Sequence, residues 1–202
     1  MCTTKRLADG SVERYKARFV CQGFAQQQGV DYTDVFALVR RQTSFRTVMA
    51  LSAQRNLLTK HMDVKTAFLN SPVAEDIYGA QPQGFEIIGS GGQRMVLKLR
   101  RSLYGLKQSP RNWNSMVDSF ILSLGFKASG ADPCVYTRGD GCIVLLYVDD
   151  VILLASRQHI LDTLSDRFHD RFMMTDLGVV SLYLGIQVTH NSLSFSGSEP
   201  LC

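Results

Sequence analysis

Apolar residues recur at helical spacing in three segments of the chain. The first begins near Thr43 and Ser44, which are good N-cap residues, and ends before the polar stretch from Gln54 to Asn56. The second begins at Ser109 and ends at Gly125, and the third follows Ser156. The residues that carry the three periods are Phe45, Val48 and Met49, then Trp113, Val117, Phe120, Ile121 and Leu124, then Ile160, Leu161, Leu164 and Phe168. The pattern predicts three helices, and Trp113 lies on an apolar stripe as a core residue.

Alternating or continuous short apolar runs predict strands between these helices. They are "ERYKARFV" (13–20), a piece of "HMDVKTAFLN" (61–70), "RMVLKLR" (94–100), "CVYT" (134–137), "CIVLLYV" (142–148), "VILLAS" (151–156) and "SLYLGIQVTH" (181–190). Turn residues separate several of them, as in "RGDG" and "IIGSGG". Because hairpins and helices are mixed without regular βαβ units, we predict an α+β domain, an antiparallel sheet with helices on one face.

Two adjacent aspartates interrupt the most apolar part of the chain, "IVLLYVDDVILLAS". If the runs on either side form a hairpin, Asp149 and Asp150 lie at its bend. One aspartate there is explained by turn formation alone. Two carboxylates about 4 Å apart repel by roughly 4 kcal/mol at an effective dielectric constant near 20, so we expect a nearby cation or a raised pKa.

A divalent cation meets this requirement. Magnesium prefers oxygen ligands and takes one or two protein carboxylates together with substrate phosphates. Asp63 in "KHMDVKTAF" is the candidate for a third carboxylate, because it also lies in an apolar context. Two metal ions held by such carboxylates can activate a hydroxyl and stabilise a leaving pyrophosphate.

Composition and charge add little. The net charge of +4 permits a polyanionic partner, and five cysteines without a C-x-x-C pair argue against a disulfide framework or a zinc site. The four histidines share no metal spacing and are expected at the surface or in ordinary packing. The chain shows neither a signal peptide nor a transmembrane segment, so we expect an intracellular protein without contact to a membrane.

Five motifs occur in a fixed order: "YKARFVCQGFAQ", "MDVKTAFLN", "SLYGLKQSPRNW", "YVDD" and "DLGVVSLYLGIQV". Together they resemble the reverse transcriptase domain of copia-type long-terminal-repeat retrotransposons, from about Arg6 to about Val188. The resemblance implies an RNA-directed DNA polymerase with a right-hand shape. Its palm would carry Asp63, Asp149 and Asp150 as catalytic residues, which together with Val64 would hold two Mg²⁺ ions, with Mn²⁺ as the alternative.

The same resemblance implies the substrate contacts. Lys16 and Arg18 resemble the cations of the fingers that contact phosphates, and Phe68 takes the position of the ring that excludes a 2′-hydroxyl. The remaining nucleotide-binding residues would be Lys65, Thr66, Ala67, Tyr104 and Gly105, with backbone amides after Asp63 binding the triphosphate. Leu184 and Gly185 resemble the hairpin that grips the primer.

The family also implies partners and a context. The partners would be an RNA or DNA template with a DNA primer, deoxynucleoside triphosphates, and the integrase and RNase H domains of a Pol polyprotein, in a cytoplasmic particle or the nucleus. We expect partial fingers over residues 1–60, mainly palm with some fingers elements over 61–188, no thumb, and a disordered tail unlike the family over 189–202.

One departure concerns activity. The family usually has a lysine before the "DLG" turn, and Thr175 takes that position here. A general acid for pyrophosphate departure is therefore expected to be missing. Two interpretations stay open, a polymerase domain that retains its three aspartates, and a truncated, non-catalytic relic that at best binds nucleic acid weakly.

Overall fold

A computed structural model describes residues 2–7, 9–35, 42–183 and 185–189. The strands are β1 (Cys2–Arg6), β2 (Val12–Ala17), β3 (Leu58–Val64), β4 (Tyr78–Gly79), β5 (Leu97–Lys98), β6 (Lys127–Ala128), β7 (Val135–Thr137), β8 (Ile143–Tyr147), β9 (Asp150–Ala155), β10 (Met174–Gly178), β11 (Leu182–Tyr183) and β12 (Ile186–Gln187). The helices are α1 (Gln42–Gln54), α2 (Ala67–Asn70), α3 (Ser109–Ser123) and α4 (Gln158–Arg171), and a 3₁₀ turn spans Gly23–Ala25. The three predicted helices are confirmed as α1, α3 and α4.

Six strands form one sheet in the order β10-β3-β9-β8-β7-β6. All neighbouring strands in it are antiparallel, as predicted. The hairpin of β8 and β9 pairs Tyr147 with Asp150, so Val148 and Asp149 alone form its turn. β3 lies on the other side of β9 and pairs Asp63 with Asp150.

Both faces of this sheet are covered. Alternate residues of β3, β8 and β9, among them Met62, Val144 and Val151, pack with Trp113 of α3 and Phe168 of α4 in one core cluster. The residues between them on β8 and β9 form a second cluster with α1 and with β11, whose members include Phe45, Ile152 and Tyr183. The prediction of helices on one face is therefore wrong for α1. The continuous apolar runs of β8 and β9 reflect burial on both sides.

Three further strand pairs lie outside the main sheet: β1 with β2, β4 with β5, and β11 with β12. The stretch "SLYLGIQVTH", predicted as one strand, is a hairpin whose turn contains Gly185 with φ of 81°. The predicted strand over 94–100 is reduced to the two residues of β5. β10 was not predicted at all, because it is a polar strand at the edge of the sheet.

Two backbone segments meet in direct contact between β2 and α3. Cys21 donates its amide hydrogen to the carbonyl of Tyr104 at 2.8 Å. A Cβ atom on Gly105 would lie 2.0 Å from the Cys21 carbonyl oxygen, and one on Gly23 would lie 1.9 Å from the Gly105 carbonyl oxygen. The buried Gln108 extends the contact by donating to the Asp31 carbonyl at 2.8 Å. This contact holds the segment that follows β2 against the start of α3.

In the described part of the chain, no helix is long and apolar enough to cross a membrane.

Candidate active site

Three aspartates meet where β3 adjoins the β8–β9 hairpin. Asp63 is near the end of β3, Asp149 is the second residue of the turn, and Asp150 begins β9. The turn is fixed by two hydrogen bonds to the rest of the fold: the amide of Val64 donates to the Asp149 carbonyl at 2.7 Å, and the indole N–H of Trp113 donates to the Val148 carbonyl at 2.5 Å. Sequence reasoning placed Trp113 in the core, which is confirmed, but missed this bond.

Asp63 and Asp149 line one cavity of about 480 Å³. The basic residues that line it with them are Arg14, Lys16, Arg18 and Lys65, and its other lining residues include Thr66, Leu69, Tyr104 and Thr175. Lys16 and Arg18, which the alternation of β2 placed together, therefore lie with the two carboxylates in one cavity. Arg14 also belongs to this group and was not singled out from the sequence, although it precedes Lys16 on the same face of β2.

Burial raises the pKa of Asp63, and the negative charges of Asp149 and Asp150 raise it further. Burial also raises the pKa of Asp149, and the charge of Asp150 adds to this effect, whereas Arg18 and Lys16 oppose it. The expectation of a nearby cation or a raised pKa is confirmed for Asp149, which has both. Both carboxylates are unfavourably placed as bare anions, which favours a cation between them.

Asp150 has a different surrounding. Its carboxylate accepts a hydrogen bond from Nε2 of His61 at 2.9 Å. Asp150 is not among the described residues that line the cavity of Asp63 and Asp149. His61 is buried, as the prediction of ordinary packing allows, but sequence reasoning missed its contact with Asp150, because a cross-strand contact between β3 and β9 cannot be seen in histidine spacing.

The donor set fits a cation that is completed by substrate oxygens. Within the described ranges, no cluster of three or more His, Cys, Asp or Glu side chains could hold a metal ion by itself. Two carboxylates in one cavity nevertheless match the preference of Mg²⁺ for one or two protein carboxylates plus phosphate oxygens and water.

Comparison with known proteins decides the family. A family model described as reverse transcriptase (RNA-dependent DNA polymerase) matches residues 2–196. The chain belongs to the reverse transcriptase family. Its match extends past residue 188, where we expected the domain to end.

The relatives are polyproteins of transposons. The chain is 40% identical over 194 residues to the retrovirus-related Pol polyprotein from transposon TNT 1-94 of Nicotiana tabacum, covering 94% of the chain and 14% of that protein. It is 36% identical over 188 residues to the Pol polyprotein from transposon RE1 of Arabidopsis thaliana, covering 92% of the chain and 13% of that protein. These matches support a copia-type reverse transcriptase domain. The chain spans about one seventh of the length of these relatives.

A solved structure is also similar at a low level. Apo telomerase from Candida tropicalis, truncated from the C-terminal domain, has a TM-score of 0.38 and 11% sequence identity, with 69% of this chain and 35% of that chain covered.

The nucleotide-binding residues predicted for this reverse transcriptase chain occupy three different surroundings. Lys65, Thr66 and Tyr104 line the cavity, together with Lys16 and Arg18. Ala67 and Phe68 are buried in the first core cluster, where the Phe68 ring lies 4.5 Å from the Tyr104 ring. Gly105 contacts the backbone of Cys21 instead of lining the cavity. Tyr104 and Phe19 are thus the aromatic residues that line the cavity, and the Phe68 ring contacts Tyr104 from the core.

Two of the backbone amides that follow Asp63 already donate hydrogen bonds within the reverse transcriptase fold. The Val64 amide donates to Asp149, and the Lys65 amide donates to the Met173 carbonyl at 2.8 Å. These two amides are therefore not available to a triphosphate in this structure. The Lys65 side chain, in contrast, lines the cavity.

The hairpin predicted to grip the primer is β11–β12. Gly185 lies in its turn, whereas Leu184 falls outside the described residues. Thr175, at the position of the family's lysine, is paired with Asp63 across β10 and β3 and lines the cavity. A lysine at position 175 would therefore lie beside the carboxylates.

Proposed function

We propose that this domain is an RNA-directed DNA polymerase that adds deoxynucleotides to a primer 3′-hydroxyl by two-metal phosphoryl transfer. The observation that carries the proposal is the shared cavity: the carboxylates of Asp63 and Asp149 line it with Arg14, Lys16 and Arg18. Such a transfer requires two kinds of charged side chain: carboxylates that bind a metal cation, and basic groups that bind phosphate.

The metal ligands would be the carboxylates of Asp63 and Asp149, with the Val64 carbonyl at the edge of the site and Asp150 beside it. Bound Mg²⁺, or Mn²⁺ in its place, would activate the hydroxyl and stabilise the leaving pyrophosphate. The fold supplies rigidity, because the hydrogen bonds of Val64 and Trp113 fix the turn that carries Asp149.

The basic side chains would act on the triphosphate. Lys16 of β2 and Arg18, which follows the strand, both line the cavity and would neutralise the charge that develops on the transferred phosphoryl group. The Tyr104 ring, with the Arg18 guanidinium 5.4 Å from its centroid, would form the wall beside the sugar and base. Phe68 would support this wall from the core, so its predicted role in excluding ribonucleotides would act through Tyr104.

The partners follow from this reaction. They would be an RNA or DNA template with a DNA primer and deoxynucleoside triphosphates. In a longer Pol polyprotein, integrase and RNase H domains would accompany this domain.

Primer extension tests the proposal. We expect the wild-type chain to extend oligo(dT) on poly(rA) with Mg²⁺, and Asp149→Asn to abolish extension because the cavity loses half of its carboxylate charge. Asp166→Asn is the matched control, since Asp166 is an exposed carboxylate on α4. It should extend the primer like wild type.

Two results would contradict the proposal. Equal extension by wild type and Asp149→Asn would show that the activity does not depend on the cavity. A folded wild-type chain that binds the primer-template without extending it would favour the second interpretation, a non-catalytic nucleic-acid-binding relic.

A further inference from the structure

His61 lies directly beside the candidate active site, on the same face of β3 as Asp63. The two residues alternate with Met62 and Val64, which point into the first core cluster. The side chain of His61 is only 11% exposed, and its Nε2 lies 2.9 Å from Oδ1 of Asp150. Because an ionised carboxylate only accepts hydrogen bonds, the Nε2–H of His61 is the donor.

One aromatic ring contacts the His61 ring, and a second ring packs against the first. Tyr183 of β11 meets it edge-on, with ring centroids 5.6 Å apart and an interplanar angle of 82°. Phe45 of α1 packs on the far side of Tyr183, with ring centroids 4.5 Å apart. Tyr183 and Phe45 are both buried. The imidazole is thus held in place from the second core cluster, and the position of its Nε2 is set by the fold.

The hydrogen bond determines where the Asp150 carboxylate lies. Asp150 is the cross-strand partner of Asp63 and the chain neighbour of Asp149, so all three carboxylates start from adjacent backbone positions. Asp63 and Asp149 line the cavity, whereas Asp150 contacts His61. Without a donor at position 61, the Asp150 carboxylate would lose the contact that keeps it beside His61 and would be free to turn to the neighbouring cavity.

We propose that His61 is a positioning residue that holds the Asp150 carboxylate beside the cavity of Asp63 and Asp149, so that two carboxylates and not three face the substrate. This inference rests on the proposed function. It gives Asp150 a different role from Asp63 and Asp149, and it adds His61 to the residues on which the proposed reaction depends. Through Tyr183, it also places the β11–β12 hairpin in contact with the histidine that orients the Asp150 carboxylate.

Two substitutions separate positioning from mere packing. His61→Leu introduces an apolar side chain of similar bulk that has no hydrogen-bond donor. His61→Gln offers an amide N–H near the position of Nε2. We expect His61→Leu to lower the rate of single-nucleotide incorporation by about tenfold to a hundredfold, as is typical for residues that orient metal ligands. His61→Gln should recover most of that rate, with the Michaelis constant for the nucleotide unchanged in both.

Direct binding of Mn²⁺ alone, measured by electron paramagnetic resonance of the free ion, gives a readout besides activity. A released Asp150 adds negative charge to the cavity, so His61→Leu should bind Mn²⁺ at least as tightly as wild type while its turnover falls. Parallel losses of Mn²⁺ binding and turnover would indicate general structural damage and overturn the proposal. Equal rates for His61→Leu and wild type would also overturn it.

Nuclear magnetic resonance of the wild-type chain tests the hydrogen bond even if His61→Leu does not fold. The side-chain ¹⁵Nε2 signal of His61, assigned by its absence in His61→Gln, should move in Asp150→Ala and stay in place in Asp166→Ala. An unmoved signal in Asp150→Ala would refute the bond. This experiment does not require extension activity, so it tests the contact of His61 with Asp150 independently of whether the domain proves to be a polymerase.

Discussion

At the scale of single residues, the turn that carries Asp149 is held from outside. Val148 has φ of 51°, in the left-handed region where a β-branched residue is disfavoured. Such a conformation costs roughly 1–2 kcal/mol and persists only if surrounding contacts determine it. The hydrogen bonds from Trp113 and Val64 are those contacts, so the position of the Asp149 carboxylate depends on α3 and β3 as much as on the hairpin itself.

Removal of the indole donor should therefore affect both stability and activity. Trp113→Phe deletes the bond to the carbonyl of the half-buried Val148 and should lower the free energy of unfolding by about 0.5–1.5 kcal/mol, as measured by denaturant titration. Primer extension should fall as well, because the turn is less well fixed. Tyr136→Phe is the control: it removes a hydroxyl that bonds to Asp118 at 2.9 Å, away from the turn. A similar loss of extension in both variants would argue against a specific role of Trp113.

Position 175 offers a gain of activity. Thr175 is paired with Asp63 and lines the cavity, so Thr175→Lys would place an ammonium group beside the reacting phosphates. General acid catalysis contributes roughly 10²–10⁴-fold, and we expect at least about a tenfold faster single-turnover incorporation. Thr175→Met, which is long but uncharged, should show no gain. If both variants behave alike, proton donation from this position is not what limits the rate.

At the scale of elements, the site depends on how the segment after β2 meets the start of α3. Gly23 and Gly105 allow backbone atoms of the two segments to touch, and Gly105 also has φ of 95°. The segment is tied further by Gln26, whose side chain accepts from the Lys107 amide at 2.8 Å and donates to Gln108 at 3.1 Å. This contact sets how β2, with Lys16, faces the aspartates.

A methyl group at Gly105 should break this contact. Gly105→Ala brings a Cβ atom into the Cys21 carbonyl and forces a disfavoured backbone angle, so we expect unfolding to become easier by about 2–4 kcal/mol. Limited proteolysis should then cleave the segment after β2 faster than in wild type. Gly139→Ala, at a position with open space and an ordinary backbone angle, should leave both measurements unchanged. Unaltered proteolysis of Gly105→Ala would refute the role of the glycine contact.

The elements also show what could be predicted from the sequence. Helices α1, α3 and α4 and the β8–β9 hairpin follow from hydrophobic periodicity, which reports burial directly. The polar β10 lacks that signal, since an edge strand is held mainly by its hydrogen bonds to β3. The bond of His61 to Asp150 and the burial of Phe68 beneath Tyr104 arise from residues distant along the chain, so no local pattern contains them.

At the scale of the whole molecule, the charges that give the modest net charge of +4 are unevenly distributed. Four basic residues line one cavity with two acidic ones, Asp63 and Asp149. This surplus of positive charge in one cavity, which composition alone could not locate, would suit the phosphate backbone of the proposed substrate.

The salt dependence of nucleic-acid binding measures the effect of this positive charge. Replacing Arg14, Lys16 and Arg18 together by Gln should reduce the slope of log K against log salt by about 2 for single-stranded DNA, because each lost phosphate contact removes roughly 0.7. Fluorescence anisotropy with labelled oligo(dT) provides the slope. The matched control replaces Arg157, Arg167 and Arg171, three exposed residues of α4 or its N-cap, and should leave the slope near the wild-type value. Equal slopes in the two triple variants would exclude a role of the cavity in binding.

The burial of β8 and β9 on both faces has a consequence for local unfolding. Amide hydrogens in strands that serve two cores exchange with solvent only when most of the domain opens, whereas those of peripheral pairs such as β1–β2 exchange through small fluctuations. We therefore expect the β8–β9 hairpin to belong to the slowest-exchanging unit among the described residues. The aspartates at its tip would then keep their geometry during partial unfolding that releases β2 and its basic side chains. Phosphate binding would therefore be lost before the arrangement of the carboxylates is disturbed.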